Sequence, residues 1–283
     1  MKIGFNLLLY TGFVTEQDFP TIEALKKTGY DGVELPLFDP SDLAHYKRIG
    51  QFLKDTGLEA TAVTVCPNEE HNPISADPVN RQRSIVHLKH VIDACHAVGA
   101  QVLCGPYYQV LGQFSGSFPT NTEREYAAEV HRVIADYAQQ AGVLCAIESL
   151  NRFESHLLNT IADAADYVKR VGHPNFKTMY DTFHANIEEK SPIGVISEHF
   201  GAIGHVHISE NDRGTPGRGH CPINQTIAEF KRLGYDSWMT VEAFGSALPE
   251  LAAATRVWRD FFPSREQVYQ ESIHVIRDAW NAA

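Results

Sequence analysis

The sequence predicts an α/β fold, a (β/α)8 TIM barrel with an additional C-terminal helix. Short apolar runs alternate with helix-like segments along the chain, which is typical of a parallel sheet covered by helices. Four of these runs, VLCAIE, FKTMYD, IGHVHI and WMTVE, have an acidic residue or a histidine at or next to their end. They follow one another at steps of roughly 30 residues, the length of one strand–helix unit in a barrel of ~250 residues. No linker divides the 283 residues, so we expect 1–283 to form a single domain.

The first part of the chain predicts three strands, each followed by a helix. The strands are KIGFNLLLY, YDGVELPLF, which ends near Glu34, and LEATAVTV. The first two helices, TIEALKKTG and PSDLAHYKRIGQFLKDTG, end at Gly29 and Gly57, since glycine readily adopts the conformation that ends a helix. The third begins with Asp77 as its N-cap, followed by a proline, and ends at Gly99. Its predicted apolar face is Leu88, Val91, Ile92 and Cys95.

The remaining strands and helices follow the same alternation. AQVLCG predicts the fourth strand, and the fourth helix is predicted to open at Thr122, with Glu125 in the spacing of a capping box. The predicted apolar side of that helix is Tyr126, Val130, Val133, Ile134 and Tyr137. After Gly142 come the four strands with polar ends, and the tail from about Pro263 predicts the additional helix.

Three long connections leave the carboxyl ends of predicted strands. Residues 67–76 follow the third strand and residues 107–120 follow the fourth. Loops this long in a compact domain are often lids or binding loops, so we expect both to border a functional site. The segment NDRGTPGRGHCPIN after the seventh strand lacks the ending of a P-loop and is expected to be an ordered turn with one or two polar contacts.

Composition argues against nucleic acid and membrane partners. The formal net charge is −11 and no run of Lys and Arg occurs, whereas both kinds of partner reward a basic face. No apolar stretch reaches the ~18 residues of a membrane span, and we expect no signal peptide. The five cysteines are an odd number without paired spacing, which indicates free thiols and a cytoplasmic protein.

The four polar strand ends are Glu148, Asp181, His207 and Glu242. If they end consecutive strands, three carboxylates and one imidazole meet at the face where barrel enzymes place their chemistry. This donor set suits Mn²⁺, Co²⁺ or Mg²⁺ better than Zn²⁺, which more often binds several His or Cys residues. Each residue alone could be a surface polar group, but four in succession favour a metal site. His205, two residues before His207, should face the same way one layer lower, as a core histidine.

Four segments carry a resemblance to a known family. ESLNRFESH from Glu148, DTFHANIEE from Asp181, HVHISENDR up to Arg213 and TVEAF around Glu242 resemble the ketose 3-epimerases of the xylose isomerase-like barrels. D-tagatose 3-epimerase and D-psicose (allulose) 3-epimerase belong to that family. The resemblance extends over nearly the whole chain, and DTFHANIEE and HVHISENDR are its most specific parts.

The resemblance implies a function and a set of site residues. One divalent ion per subunit, with Mn²⁺ favoured, would be held by the four strand-end residues, and Glu148 and Glu242 would also be the acid–base pair that inverts C3 of a free ketose. Glu154, His184 and Arg213 match sugar contacts near C1 and C2, and Phe244 matches an aromatic residue beside the substrate. On the residues alone, Glu154 and Arg213 could instead be exposed loop charges, His184 a loop cap and Phe244 plain core. Homodimers or homotetramers are expected.

The chain also departs from the family pattern. Members often carry a tryptophan in the loops after strands one and four, but the only tryptophans here are Trp238, Trp258 and Trp280. The corresponding loops offer Tyr10 and Phe13, and Tyr107 and Tyr108, of which we predict Tyr107 to contact substrate. The wall around the far end of the sugar is therefore expected to differ.

Other functions remain open on the sequence alone. An aldose–ketose or hydroxypyruvate isomerase would share the metal but move a proton between C1 and C2. An abasic-site endonuclease would need more His and Asp ligands and a basic surface. A non-catalytic sugar sensor should lack one of the paired glutamates, yet both are present.

Overall fold

Eight parallel strands close into a barrel in the order of the chain, in a computed structural model that describes residues 1–283. The strands are β1 Lys2–Asn6, β2 Gly32–Pro36, β3 Glu59–Val63, β4 Ala100–Gly105, β5 Leu144–Glu148, β6 Phe176–Asp181, β7 Ile203–Ile208 and β8 Trp238–Val241. Parallel pairing of β8 with β1, with Phe5 opposite Val241, closes the barrel. The predicted fold class is therefore confirmed.

Ten helices surround or follow the strands. They are α1 Phe19–Thr28, α2 Leu43–Thr56, α3 Pro78–Val98, α4 Asn121–Ala141, α5 Ile161–Val171, α6 Thr182–Glu188, α7 Gly194–His199, α8 Ile223–Arg232, α9 Pro249–Thr255 and α10 Arg265–Ala282. Helix α10 is the additional C-terminal helix. None of the helices combines the length and the apolar character that crossing a bilayer would require.

The end signals predicted for α1 to α3 are present. Gly29, Gly57 and Gly99 follow these helices in the left-handed conformation, and the Asp77 side chain accepts a hydrogen bond from the backbone N–H of Val79 at the start of α3. The predicted strand KIGFNLLLY is too long, because only Lys2–Asn6 pairs with its neighbours. After it the chain makes a 3₁₀ turn, whose second residue donates its N–H to the Asn6 side chain. This turn fixes Asn6 at the rim of the barrel.

The start of α4 was predicted two residues too late. The sequence contains two overlapping Thr-x-x-Glu patterns, and the first one forms the capping box. Thr120 Oγ1 accepts from the Glu123 N–H at 3.1 Å, and Glu123 Oε2 accepts from the Thr120 N–H at 2.6 Å. Glu125, the acidic residue of the second pattern, instead pairs with Arg132 at 2.8 Å.

The buried stripe of α4 also differs from the prediction. Val133 is 41 % exposed, and Tyr126 and Tyr137 are only partly buried. The fully buried stripe contains small residues and one histidine: Ala127, Ala128, Val130, His131, Ile134, Ala135 and Ala138. The apolar side of α4 was predicted from its large apolar side chains. The buried alanines instead allow the helix to lie close to its neighbours.

His131 gives the fold a predicted dependence on pH. Its Nδ1 lies 2.6 Å from the Tyr167 hydroxyl, and burial lowers its pKa from 6.5 to about 3. Below pH ~6.5 the unfolded chain binds a proton here that the folded chain excludes, so the free energy of unfolding falls as the pH falls from there towards about 3. We expect the free energy of unfolding to be about 2 kcal/mol lower near pH 5 than at neutral pH because of this residue alone. Urea unfolding at neutral pH and near pH 5 should show a smaller difference in His131→Gln than in the wild type; an equal difference would contradict the assignment.

The two faces of the strands contact different cores. On β4 to β6, residues such as Leu103, Ile147 and Tyr180 face the helices and join a main apolar cluster of 60 buried residues. Their alternating neighbours, such as Cys104 and Met179, belong to a smaller cluster of 9 residues inside the barrel. This inner cluster is small because polar side chains occupy much of the interior near the carboxyl ends of the strands.

Candidate metal and substrate site

The four polar strand ends meet at the carboxyl-terminal rim of the barrel. Glu148 and Asp181 are the last residues of β5 and β6, His207 is the penultimate residue of β7, and Glu242 follows β8. All four are buried, and one ligand-type atom from each lies within 4.8 Å of those of the other three. These four residues are called the quartet below.

Three quartet atoms fit a bound cation because nothing else in the chain satisfies them. Glu148 Oε1, Asp181 Oδ2 and His207 Nδ1 are buried without a hydrogen-bond partner. His207 Nδ1 lies 3.2 Å from Glu242 Oε1 and 3.7 Å from Asp181 Oδ2. Buried polar groups normally have partners, so a converging group of unpartnered acceptors suits a divalent ion. Three oxygens and one nitrogen are donors that Mn²⁺, Co²⁺ and Mg²⁺ accept.

The two glutamates lie in different electrostatic surroundings. Burial, together with the negative charge of Glu242, holds the pKa of Glu148 well above its usual value. For Glu242 burial also raises the pKa, but the charges of His207 and Arg213 outweigh it and lower the pKa. Burial, opposed by Arg213, raises the pKa of Asp181 to about 6. The surroundings of Glu148 thus favour its protonated form, and those of Glu242 favour its ionised form.

Asp181 uses its two oxygens for different purposes. Oδ1 accepts hydrogen bonds from the backbone N–H groups of Phe183 at 2.7 Å and His184 at 3.0 Å, and so caps α6. Oδ2 is left to face the quartet. The same cap places the His184 side chain beside Glu148, with Nε2 at 3.6 Å from Oε1.

Arg213 and His184 form the polar wall above the quartet, and both are buried rather than exposed loop residues. Arg213 Nη1 donates to Glu242 Oε2 at 2.6 Å, and its Nη2 lies 3.0 Å from His184 Nε2. Its backbone is in the left-handed region, with φ 64°, which costs a non-glycine residue on the order of 1–3 kcal/mol. The ion pair and a hydrogen bond from the Phe244 N–H to its carbonyl oxygen, at 2.9 Å, stabilise this conformation.

A cavity of about 80 Å³ is lined by two quartet carboxylates and by many apolar residues. Its polar lining residues are Glu148, Glu154, His184, Arg213, Glu242 and Thr255, and its apolar ones are Leu8, Phe38, Val63, Val65, Pro106, Leu111, Leu150, Phe244 and Leu251. Glu154 accepts a hydrogen bond from Asn151 Nδ2 at 2.9 Å. A cleft of about 500 Å³ shares Glu154 and Arg213 with this cavity and reaches the exposed ring of Phe153.

The structure does not bring Tyr107 to this cavity. Tyr107 belongs to the main core, where its ring meets His131 edge-on at 5.5 Å and its hydroxyl lies 3.5 Å from the Leu103 carbonyl oxygen. The loop after β4 contributes Pro106 and Leu111 to the cavity instead. Tyr107 was predicted as a substrate contact because it is an aromatic residue in the loop after β4. A side chain just after a strand can point either into the cavity or into the core between the barrel and the helices.

Sequence reasoning missed Glu34, a fully buried carboxylate of β2 below the quartet. Its oxygens accept hydrogen bonds from His207 Nε2 at 2.7 Å and His205 Nε2 at 2.8 Å. His205 is buried one layer below His207, as predicted, but it is tied to this carboxylate rather than to apolar neighbours. A signal was present, since an acidic residue within the apolar strand GVELP must point into the barrel or into the helix layer.

The chain is similar to known proteins over most of its length. The model of the xylose isomerase-like TIM barrel family matches residues 22–279. A probable ketose 3-epimerase of Synechocystis sp. is 30 % identical, with 99 % of this chain and 97 % of the relative covered. A D-psicose 3-epimerase of Agrobacterium fabrum is 31 % identical, with 85 % and 84 % covered. A crystal structure of D-allulose 3-epimerase from Methylomonas sp. in complex with D-allulose superposes with a TM-score of 0.91 at 27 % identity, with 99 % and 97 % covered.

Proposed function

The chain belongs to the ketose 3-epimerase family of xylose isomerase-like TIM barrels, and we propose that it is a metal-dependent epimerase that inverts C3 of free, non-phosphorylated ketoses. The observation that carries the proposal is the buried quartet with its three unpartnered atoms. The quartet lies in a chain that aligns over almost its full length with ketose 3-epimerases.

Glu148, Asp181, His207 and Glu242 would hold one divalent ion, with Mn²⁺ favoured and Co²⁺ or Mg²⁺ as alternatives. When bound, the ion supplies positive charge next to the ketone oxygen O2, which acidifies the C3 hydrogen and stabilises the negative charge that develops. Side chains of the protein transfer the protons and bind the sugar.

Inversion at C3 needs a proton to leave one face of the carbon and another to arrive on the opposite face. One of Glu148 and Glu242 removes the C3 proton, which leaves a cis-enediolate that is planar at C3. The other carboxyl group delivers a proton from the opposite side. Glu148 comes from β5 and Glu242 from the end of β8, so the two approach the cavity from different parts of the rim. A single base that returned its own proton would restore the starting sugar.

The buried groups around the pair bind and orient the sugar. Arg213 and His184 would donate hydrogen bonds to O2 and O1, where negative charge develops, and Glu154 would accept one from a sugar hydroxyl. Phe244 would pack against the carbon skeleton.

The test is a screen of free C4–C6 ketoses with metal-stripped protein and with protein reloaded with Mn²⁺ or Co²⁺. We expect sugar chromatography to show a C3 epimer as the product, only after reloading. In deuterated water, deuterium should enter the product at C3. Label at C1 together with an aldose product would point to aldose–ketose isomerisation instead and would contradict the proposal.

Two further expectations accompany this function. All five cysteines are free and four of them are buried, which supports a reducing cytoplasmic location. A homodimer or homotetramer remains a prediction, as does the assignment of residues 1–283 to one domain. Neither nucleic acid nor a membrane is proposed as a partner, in keeping with the net charge of −11.

A further inference from the structure

Glu34 accepts hydrogen bonds on both oxygens from five side chains. Oε1 accepts from His207 Nε2 at 2.7 Å and Asn6 Nδ2 at 3.0 Å. Oε2 accepts from His205 Nε2 at 2.8 Å, Thr61 Oγ1 at 2.9 Å and Cys104 Sγ at 3.3 Å. The side chain is 0 % exposed, so these groups are its whole environment. We call Glu34 and the four donors other than His207 the Glu34 network.

Glu34 differs from Glu148 and Asp181 in that both of its oxygens have hydrogen-bond partners. Glu34, Cys104, His205 and His207 also lie within 4.8 Å of one another through ligand-type atoms. However, the hydroxyl of Thr61 and the amide of Asn6 turn their hydrogens towards Glu34, and these would repel a cation. Neither oxygen of Glu34 lacks a partner, whereas three quartet atoms do. The geometry is that of a hydrogen-bonding carboxylate rather than a second ion site.

The two nitrogens of His207 therefore face different groups. Nε2 faces Glu34, and an ionised carboxylate can only accept, so the hydrogen of a neutral imidazole is on Nε2. Nδ1 has no hydrogen-bond partner and faces Glu242 and Asp181. Its lone pair is thus directed into the quartet. Carboxylates that orient metal-binding histidines in this way typically change metal affinity about 10–100-fold.

We propose that Glu34 is a positioning residue that fixes the ring orientation and tautomer of His207 for metal binding. Asn6 also links Glu34 to Glu242 of the acid–base pair, because its Nδ2 donates hydrogen bonds to Glu34 Oε1 at 3.0 Å and to Glu242 Oε1 at 3.2 Å. This inference deepens the proposed function and rests on it, since His207 needs orienting only if it binds an ion.

The test is Mn²⁺ binding to metal-stripped protein, measured by titration calorimetry and by the EPR signal of free Mn²⁺. Glu34→Gln keeps the size of the side chain and one accepting oxygen, but its amide nitrogen cannot accept from an imidazole N–H. One of the two histidines must lose its acceptor or move its hydrogen to the other nitrogen. We expect affinity to fall roughly 10–100-fold while the metal-free variant retains its circular dichroism spectrum.

Glu59→Gln is the matched control. It makes the same chemical change at the first residue of β3, where the partly exposed carboxylate pairs with Lys2 at 2.6 Å at the opposite end of the barrel. Its Mn²⁺ affinity should equal that of the wild type. Equal affinity in Glu34→Gln and the wild type would overturn the inference but leave the proposed function intact. Absence of Mn²⁺ binding in the wild type would overturn both.

A measurement on the unaltered chain covers the case in which Glu34→Gln does not fold. Histidine-selective ¹⁵N NMR of the diamagnetic Mg²⁺-loaded protein reports which nitrogen of His207 carries hydrogen. We expect hydrogen on Nε2 and none on Nδ1. Hydrogen on Nδ1 would overturn the inference whatever the affinities.

Discussion

Glutamine in place of either Glu148 or Glu242 is expected to reduce kcat for the accepted ketose by roughly 10²–10⁴-fold, the range typical of a positioned acid or base. In the proposed mechanism each carboxyl group acts on one face of C3, so neither can replace the other. The substitution preserves size and a metal-binding oxygen but removes the group that takes and gives the proton. The measurement is initial epimer formation at saturating ketose and Mn²⁺, with the metal content of each variant determined alongside.

Incorporation of solvent deuterium distinguishes a variant that has lost one base from a variant whose whole site is damaged. A variant that keeps one glutamate can still remove and return the C3 proton from one face, so it should incorporate solvent deuterium into one epimer without inverting it. The two variants should label opposite epimers. Turnover like that of the wild type in either variant would refute the two-base scheme.

Glu154→Gln provides the comparison within the same cavity. Glu154 lines the cavity but is not in the quartet, and it accepts a hydrogen bond from Asn151 at 2.9 Å. We expect a milder loss that falls partly on KM, because this residue is proposed to bind the sugar and to transfer no proton. A loss as deep as that of Glu148→Gln would give Glu154 a direct part in the chemistry.

Removal of the metal is expected to abolish turnover, and Asp181→Asn should reproduce much of that loss at limiting Mn²⁺. Asp181 Oδ2 is one of the three unpartnered atoms of the quartet, while Oδ1 is engaged by α6. An asparagine has only one oxygen for both tasks. Loss of a residue that merely orients a ligand costs about 10–100-fold in affinity, so loss of a ligand should cost at least as much.

The dependence of rate on Mn²⁺ concentration tests the role of Asp181. Because Asp181 is proposed to bind the ion and not to move protons, activity of Asp181→Asn should recover as Mn²⁺ is raised. Asp163→Asn makes the same change in the exposed capping box of α5 and should leave the Mn²⁺ dependence unaltered. Full activity after thorough chelation, verified by elemental analysis, would rule out a metal-dependent reaction.

The strand ends were predictable because two simple rules act together. Apolar β-branched runs show where strands lie, and parallel strands place their last residues on one rim. Glu148, Asp181 and Glu242 could therefore be placed without coordinates. Glu34 could not be placed in this way, because period-two alternation does not say which face of β2 points into the barrel. Its partners also come from four separate strands.

The remaining errors arose where local patterns were ambiguous. Two overlapping capping-box patterns lie at the start of α4. The Thr120–Glu123 pair forms the box, while Glu125 pairs with Arg132 and Arg170, a contact that the local pattern does not reveal. Tyr107 was assigned to the substrate wall because it begins the correct loop. Its burial beside His131 depends on how α4 packs against the barrel, which no pattern within the loop reveals.

The two oxygens of Asp181 couple the ion site to the position of His184. The carboxylate that faces the ion site also anchors the first turn of the helix bearing His184, a proposed sugar contact. An occupied ion site that holds Asp181 still therefore also steadies His184, and a sugar that holds His184 steadies Asp181. By reciprocity, ion and sugar should each strengthen the retention of the other. The Kd for the metal should thus be lower when a sugar is bound than in its absence.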